Sequence, residues 1–427
     1  MAADALQGTD LRWLAERVGT PFYVYDAAIV QTRIDAILAL TAAPALQARY
    51  AMKACSAAPI LARMRAHQIW IDAVSGNEVL RAQAAGYPLA AAVPEVMLTT
   101  DVFRDNALDV VREYGVLPNI GSPHMLEQLA AAGYQGPLGI RLNPGFGHGH
   151  VQSCDTGGPS SKHGIWFDEA LTVAHAATRH GMTVTLLHAH IGSGPAVAEF
   201  TDNMQHLANF FAGCLEAYPH VQAVNFGGGI PHLYRPGAPS ADLAAFGHLL
   251  QEAQERFSQQ TGRTIRVEIE PGRYLVAPAA YVITRVTDVK RTKSNTKGPG
   301  QTFVMVDAGF CDLIRPAMYG AFHQISVWNA PSHAALEPTV IAGPLCESGD
   351  VFTRDEAELL QPRPLPAVQI GDLLLIHDAG AYGYAMSSNY NSLGRAPQVW
   401  VEDGIPYLIS RRETFEDILR TECFTAL

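Results

Sequence analysis

The segment VQAVNFGGGIP, residues 221–231, joins a short run of β-forming residues to three consecutive glycines. A short apolar run that ends at glycine is typical of a buried strand followed by a tight turn. Apolar residues three to four positions apart then predict a helix over Asp242–Gln260, and a second β-rich run follows at Ile265–Ile269. Strand, helix and strand in this order indicate a βαβ unit with parallel strands.

The same alternation extends in both directions, from about residue 27 to about residue 270. It predicts eight strands with helical segments between them, which is the strand count of a closed (β/α)8 barrel of the TIM type. The predicted strands are Ala48–Met52, Ile69–Asp72, Val96–Leu98, Val116–Asn119, Leu138–Leu142, Thr183–His190, Ala223–Phe226 and Ile265–Ile269.

After Pro271 the sequence changes to β-rich runs separated by turn residues, as in GDLLLIHDAGAY at 371–382. This pattern predicts an antiparallel β domain. Pro21–Tyr25 has the same character, and we expect it to add one strand to that domain. The sequence therefore predicts an α/β protein with two domains, a barrel over residues 27–275 and a β domain formed by residues 1–26 and 276–427.

Composition excludes several classes of function. The 427 residues include 41 acidic and 30 basic ones, which gives a formal net charge of −11, and no run of basic residues occurs. Such a chain is a poor match for a nucleic-acid backbone. No stretch reaches the ~18 apolar residues of a membrane span, and the first residues lack the pattern of a signal peptide. We therefore expect a cytoplasmic protein that binds neither nucleic acid nor membrane.

In a (β/α)8 barrel, functional side chains lie at the carboxyl ends of the strands. The polar residues that close the predicted strands include Lys53, Asp72, His190 and Glu270. An amine in apolar surroundings loses solvation as an ammonium, so that its pKa falls and it forms Schiff bases readily. Taken alone, Lys53 would more simply be a surface lysine with a partly buried stem.

The companions of Lys53 favour a cofactor site. Three glycines after a strand let backbone N–H groups approach and hold a phosphate, and Arg273 adds a permanent positive charge beside Glu270. An amine for an aldehyde, a carboxylate for a pyridine nitrogen and a phosphate cradle together predict pyridoxal phosphate. The cradle consists of Gly227, Gly228 and Gly229.

The motif HAHIGSG, residues 188–194, places two histidines on the same face of a predicted strand. A metal pair is one interpretation, but the sequence places no third ligand, and we predict no metal site. The preferred interpretation stacks His190 on the cofactor ring and lets Ser193 bond the cofactor phosphate. His188 is then an interior histidine.

The predicted β domain carries three dense polar motifs, each after a predicted strand. Cys346 lies in the second motif, and an isolated cysteine of this kind is ordinarily a small buried apolar residue. The motifs are DAGFCDLIRPAMY at 307–319, GPLCESGD at 343–350 and GAYGYAMSSNYNS at 380–392.

With YAMKA (50–54), HAHIGSG, GGG and EPGR (270–273) before them, these motifs resemble the diaminopimelate decarboxylase family, in order and over about residues 21–412. That family has the alanine-racemase-like fold and includes pyridoxal-phosphate enzymes related to ornithine decarboxylase. The resemblance implies decarboxylation of meso-2,6-diaminopimelate to L-lysine and CO2. The alternative is a decarboxylase of a related amino acid, such as carboxynorspermidine, D-ornithine, D-lysine or a siderophore intermediate.

The resemblance also implies roles for individual residues. Lys53 would bind the cofactor aldehyde, His190 would stack on its ring and Cys346 would donate a proton. The implied cofactor-binding residues are Lys53, His190, Ser193, Gly227, Gly228, Gly229, Glu270, Arg273 and Tyr382. The implied substrate-binding residues are Arg273, Arg315, Tyr319, Glu347 and Tyr382. In the family the cysteine motif enters from the neighbouring subunit, which implies a homodimer with shared active sites.

Overall fold

The computed structural model describes residues 5–89, 91, 93–147, 156–192, 197–296, 298–331 and 333–425. The chain divides into two compact units. One consists of Met1–Thr32, Leu233–Ala238 and Leu275–Leu427, and the other of Arg33–His232 and Pro239–Tyr274. The short segment Leu233–Ala238, which lies inside the predicted barrel range, therefore groups with the β-rich unit.

The second unit contains a closed barrel of eight parallel strands, as predicted. Each strand pairs with its neighbours in sequence, the eighth pairs with the first, and a pairing between the fourth and fifth completes the ring. A short strand, Ile165–Trp166, adds to the edge of the fifth. The eight barrel strands are Leu46–Ala51, Trp70–Ala73, Val96–Thr100, Leu117–Ile120, Pro137–Asn143, Thr183–His188, Ala223–Asn225 and Arg266–Ile269.

A helix follows every barrel strand, and local chemistry sets the ends of several helices. The helix Leu243–Thr261 begins where the Asp242 side chain accepts the N–H of Ala245 at 2.9 Å. It ends at Gly262, whose φ of 67° is left-handed and favours glycine. The barrel helices are Ala58–Ala66, Gly76–Ala84, Ala107–Tyr114, Pro123–Ala131, Ala170–Arg179, Val197–Cys214, Leu243–Thr261 and Arg273–Val276, with Ala27–Leu40 before the first strand.

The interior of the barrel changes from apolar to polar towards the carboxyl ends of the strands. Met97, Leu117, Leu186 and Ala223 form one buried apolar cluster. Because side chains alternate along a strand, the next inward position on each of these four strands lies two residues later. Those positions hold polar residues that are all buried, namely Thr99, Asn119, His188 and Asn225.

The first unit contains a nine-stranded sheet. Phe22–Asp26 joins it as expected, antiparallel to Ala280–Arg291 and parallel to Gln398–Glu402. The sheet is mixed rather than purely antiparallel, because Thr302–Val306 and Leu336–Ala342 are also parallel. Long connections remove the hairpin constraint that would force these partners to be antiparallel. The remaining strands are Ile325–Val327, Arg363–Pro366, Leu373–Ile376 and Ile405–Ser410.

Three short helices accompany this sheet, and the N-terminal part of the chain contributes to its core. Leu11 and Leu14 pack with Phe22 and Val24 in a buried cluster that also contains Ile283. The helices are Leu11–Val18, Arg315–Tyr319 and Phe415–Leu419. Within the described part of the chain, no helix has both the length and the apolar character needed to cross a membrane.

Candidate active site

Lys53 lies in the 3₁₀ turn Met52–Ala54, directly after the first barrel strand. Its Nζ lies 3.6 Å from Oδ2 of Asp72, a fully buried carboxylate near the end of the second strand. Burial and the charge of Glu270 raise the pKa of Asp72 to about 7, and Lys53 only partly opposes this. The expectation of apolar surroundings for Lys53 is therefore wrong, because a carboxylate faces the amine.

Glu270 follows the eighth barrel strand and is almost completely buried. Asn225 donates a hydrogen bond of 2.8 Å to its Oε1, and Nε2 of His188 lies 3.4 Å from its Oε2. Burial alone would raise the pKa of Glu270, but His188 and Lys53 hold that pKa below its usual range. The carboxylate is therefore ionised at neutral pH.

His188 and His190 are both buried. Nδ1 of His188 lies 2.9 Å from the amide nitrogen of Asn119, which can only donate, so the hydrogen of the neutral ring is on Nε2, facing Glu270. Burial lowers the pKa of both histidines and keeps them neutral at pH 7. Within the described residues, no cluster of three or more His, Cys, Asp or Glu is placed to bind a metal ion.

The glycine loop packs directly on His190 and Glu270. A Cβ on Gly227 would lie 2.6 Å from the Cβ of His190, and one on Gly228 would lie 2.6 Å from the carbonyl oxygen of Glu270. Gly229 has a φ of 114°, and a Cβ there would lie 2.8 Å from the carbonyl oxygen of Gly192. Side chains are thus excluded from the loop, which leaves its backbone close to His190 and Glu270.

These features of the barrel unit fit pyridoxal phosphate. An amine, an ionised carboxylate, a neutral imidazole and a side-chain-free loop follow the first, eighth, sixth and seventh strands of one barrel. Arg273 begins the helix after the eighth strand and is half-buried. Ser193, the predicted phosphate ligand, lies outside the described residues.

In the β-rich unit, Arg315 and Tyr319 are the first and last residues of one helix. Arg315 is buried, its Nη1 donates to Nε2 of His323 at 2.9 Å, and its guanidinium carbon lies 4.6 Å from the centre of the Tyr234 ring. Nδ1 of His323 donates in turn to the carbonyl oxygen of His377 at 2.8 Å. This chain of contacts holds the guanidinium in one orientation.

Cys346 and Glu347 are exposed, in a loop organised by the buried Asp350. The carboxylate of Asp350 accepts the N–H of Leu345 at 2.8 Å, and the N–H of Cys346 donates to Oδ1 of Asn391 at 3.1 Å. The interpretation of Cys346 as a buried apolar residue is therefore wrong. The loop presents both side chains to the surroundings of the chain.

Tyr382 is half-buried, in the motif that begins at Gly380. Its φ of 57° is left-handed, a conformation that is unfavourable for a bulky side chain. Such strained positions persist where surrounding structure enforces them, and they cluster at functional sites.

Sequence reasoning missed three polar residues inside the barrel. Asn119, Asn225 and Glu268 are fully buried, and Asn225 and Glu268 lie in the strands that lead to the glycine loop and Glu270. Alternation along a strand was the available signal, since Glu268 precedes Glu270 by two residues and so faces the same side.

Comparison with known proteins agrees with these observations. The family model for the pyridoxal-dependent decarboxylase, pyridoxal binding domain, matches residues 30–277. Diaminopimelate decarboxylase of Streptomyces coelicolor is 41% identical over 421 residues, which cover 98% of this chain and 92% of that protein. The corresponding enzyme of Escherichia coli K12 is 40% identical, and the match covers 98% of this chain and 97% of that protein.

Solved structures show the same relationship. A crystal structure of diaminopimelate decarboxylase superposes with a TM-score of 0.89 at 39% identity and covers 97% of this chain and 98% of the other. The Helicobacter pylori enzyme complexed with L-lysine superposes with a TM-score of 0.83 at 27% identity, covering 96% and 98%. Pyridoxal phosphate is accordingly the cofactor. Because the similarity extends over nearly the whole chain, we conclude that it belongs to the diaminopimelate decarboxylase family of pyridoxal-dependent decarboxylases.

Proposed function

We propose that the chain catalyses decarboxylation of meso-2,6-diaminopimelate to L-lysine and CO2. The observation that carries this proposal is identity of 40% to 41% with two diaminopimelate decarboxylases over 98% of the chain. The arrangement of Lys53, Glu270 and the glycine loop at the carboxyl ends of barrel strands supports it.

Different residues would hold the aldehyde, the ring and the phosphate of the cofactor. Bound pyridoxal phosphate supplies an electron sink for the bonding pair left when CO2 departs. Lys53 would bind the aldehyde carbon of the cofactor, and His190 would pack against its ring. The residues that would hold its phosphate group are Ser193, Gly227, Gly228, Gly229 and Arg273, together with Tyr382 of the β-rich unit.

Glu270 sets the protonation of the pyridine nitrogen. Its contacts with Asn225 and His188 come from neutral groups, so they orient the carboxylate without cancelling its charge. A buried anion at this place stabilises a proton on the ring nitrogen, which strengthens electron withdrawal from the reacting carbon. This arrangement favours decarboxylation over the weaker carbanion stabilisation that suits a racemase.

The β-rich unit supplies substrate recognition. Arg315 is buried and held by His323, which supports its use as a rigid fork for the distal carboxylate of the substrate. Glu347 binds the distal ammonium, and the thiol of Cys346 returns a proton to the α-carbon after CO2 leaves. The proposed substrate-binding residues are Arg273, Arg315, Tyr319, Glu347 and Tyr382.

The exposure of Cys346 and Glu347 in a single chain supports a homodimer. In this arrangement the cysteine loop of one subunit completes the active site of its partner. A cytoplasmic location is supported by four free thiols among the described cysteines, because disulfides are rare in reducing compartments. These four are Cys214, Cys311, Cys346 and Cys423.

The test is a substrate panel with purified holoenzyme. meso-Diaminopimelate, lysine, ornithine and carboxynorspermidine are each supplied separately, and both CO2 and the amine product are measured. We expect turnover of meso-diaminopimelate, with L-lysine and CO2 formed in equal amounts. Turnover restricted to a substrate without a distal carboxylate would overturn the proposal and the role given to Arg315. The Lys53→Ala variant serves as the inactive control.

A further inference from the structure

One side chain inside the barrel contacts both Glu270 and the glycine loop. Asn225 is fully buried at the end of the seventh strand. Its Nδ2 donates to Oε1 of Glu270 at 2.8 Å and to Oε2 of Glu268 at 3.3 Å. Its Oδ1 accepts the N–H of Gly227 at 2.8 Å. A carboxamide has two donor hydrogens and one acceptor oxygen, and Asn225 uses all of them.

Ion pairs fix Glu268, one of the two carboxylates to which Asn225 donates. Glu268 is fully buried and accepts hydrogen bonds from Nε of Arg49 at 2.6 Å and from Nη2 of the same guanidinium at 3.2 Å. Arg266 adds a third contact at 2.8 Å. Charge-assisted hydrogen bonds of this kind, and paired ones above all, hold both partners in one geometry. The amide of Asn225 is therefore anchored to a carboxylate that has little freedom to move.

The second carboxylate oxygen of Glu270, Oε2, faces His188, and the side chain of Asn119 fixes the ring of His188 in turn. The amide of Asn119 donates to Nδ1 of His188 at 2.9 Å and to the hydroxyl of Thr99 at 3.2 Å. Gly139 makes room for this amide, because a Cβ there would lie 2.8 Å from Oδ1 of Asn119. The glycine at position 139 on the fifth strand therefore leaves space for the polar side chain of Asn119 on the neighbouring fourth strand.

We propose that Asn225 is a positioning residue that holds Glu270 and Gly227, the first residue of the glycine loop, in a fixed relation, so that the ring nitrogen and the phosphate of the cofactor would meet groups held in one rigid arrangement. This inference rests on the proposed function, which assigns those two groups of the cofactor to Glu270 and the glycine loop. Asn225 acts through Glu270 and Gly227, because its donor hydrogens and its acceptor oxygen are all used by groups of the protein.

Asparagine is the residue that this position requires. Aspartate has the same shape and retains the acceptor for Gly227, but it loses both donors and brings a third carboxylate between Glu268 and Glu270. Repulsion among buried carboxylates forces one of them to take up a proton or to turn away. Either response disturbs Glu270, whereas a residue that merely fills space would affect only the stability of the barrel.

The test compares Asn225→Asp with Asn203→Asp, a matched change at another buried asparagine of the barrel unit, in the helix Val197–Cys214. Apo-protein is titrated with pyridoxal phosphate and, separately, with pyridoxal, which lacks the phosphate. We expect Asn225→Asp to weaken binding of pyridoxal phosphate by about tenfold or more, the equivalent of one lost charged hydrogen bond. Binding of pyridoxal should weaken less, because the contribution of the glycine loop is absent from it.

Kinetics of the holoenzyme at saturating cofactor give a second readout. Asn225→Asp should lower kcat by about tenfold to a hundredfold and leave KM within about threefold, since Glu270 acts on the chemical step rather than on substrate binding. In the Glu270→Gln background the additional effect of Asn225→Asp on cofactor affinity should be smaller, because an aspartate can accept a hydrogen bond from glutamine.

The outcomes separate the two proposals. If Asn225→Asp and Asn203→Asp have the same cofactor affinity and the same kcat, Asn225 is a packing residue and the inference is overturned. If the wild-type protein releases no CO2 from meso-diaminopimelate, yet Asn225→Asp still weakens binding of pyridoxal phosphate more than Asn203→Asp does, the substrate assignment fails and the positioning role stands.

Discussion

The carboxylate of Asp72 lies 3.6 Å from the amine of Lys53, and the two side chains differ greatly in exposure, since Asp72 is fully buried and Lys53 is 39% exposed. Burial and the nearby charge of Glu270 raise the pKa of Asp72 to about 7. The charge beside the amine of Lys53 therefore changes within the physiological pH range.

Asp72→Asn should change how stability depends on pH. A folded-state pKa of about 7 against about 3.9 in the unfolded chain means that the folded apo-protein binds more protons between these values. The free energy of unfolding then falls as pH rises through this window, by at most about 4 kcal/mol. The asparagine variant lacks this contribution, so it should gain stability relative to wild type as pH rises from about 4 to about 7. Urea unfolding of both apo-proteins measures this, and a pH-independent difference would contradict it.

Lys53→Ala and Lys53→Arg should separate the covalent role of the lysine from its charge. Both variants should lose the visible absorbance of the lysine-bound cofactor and the release of CO2, because neither has a deprotonatable primary amine. Lys53→Arg retains a cation beside Asp72, so its apo-protein should be the more stable of the two at pH 8. Absorbance spectra and urea unfolding test both points. Normal absorbance in either variant would remove Lys53 from the cofactor site.

Gly227→Ala should lower the free energy of unfolding more than an alanine substitution at a glycine with a similar backbone conformation. Gly262→Ala is the control, because its φ of 67° matches the 66° of Gly227 but no atom lies within 4 Å of the place that a Cβ would occupy there. The left-handed backbone alone costs about 1–2 kcal/mol. The clash with the Cβ of His190 should add to this only at Gly227, and cofactor affinity should fall only there. Equal unfolding free energies and equal affinities would contradict close packing of the loop.

Arg315→Lys should mainly impair substrate binding. Lysine retains the charge but loses the planar fork and its contact with His323, so KM for meso-diaminopimelate should rise by about tenfold or more. Arg411→Lys, at an exposed ion pair with Asp417, is the control and should leave KM unchanged. Steady-state kinetics distinguish them. An unchanged KM in Arg315→Lys would remove this arginine from the substrate site.

Shared active sites predict complementation between two inactive variants. Lys53→Ala lacks the cofactor amine and Cys346→Ala lacks the proton donor, but a mixed dimer contains one site with both residues intact. Random reassortment of equal amounts makes half the dimers mixed, which gives about a quarter of the wild-type activity. CO2 release after mild dissociation and mixing measures this. No recovery, with mixed dimers demonstrated by tagged subunits, would show that each site is built from one chain.

Much of the barrel could be predicted from the sequence, because strands and helices differ in the period of their apolar residues. All eight predicted strands overlap observed ones, and Lys53, His190, the glycine loop and Glu270 follow four of them. The pairing directions of the β-rich unit were less accessible. Phe22–Asp26 is separated from Gln398–Glu402 by most of the chain, and no local pattern states whether such partners run parallel.

The candidate site could be predicted only in part, because some of its features depend on residues that are distant in sequence. Cys346 was ambiguous in isolation, because exposure depends on neighbours that are distant in sequence, and its loop is held by Asp350 and Asn391. Alternation along the strand could mark Asn225 only as an inward-facing residue, since its simultaneous contacts with Glu268, Glu270 and Gly227 depend on neighbouring strands.

The amino-acid sequence by itself determined the repeat of strands and helices, and with it the ring of strand ends at which an amine, a carboxylate and a glycine turn occur. These features depend on neighbours along the chain. Only the tertiary structure decided that Asp72 faces Lys53 and that Asn225 joins Glu270 to Gly227. Closing the barrel sets the register between strands, and that register selects which buried polar groups meet and so what their charges and pKa values become.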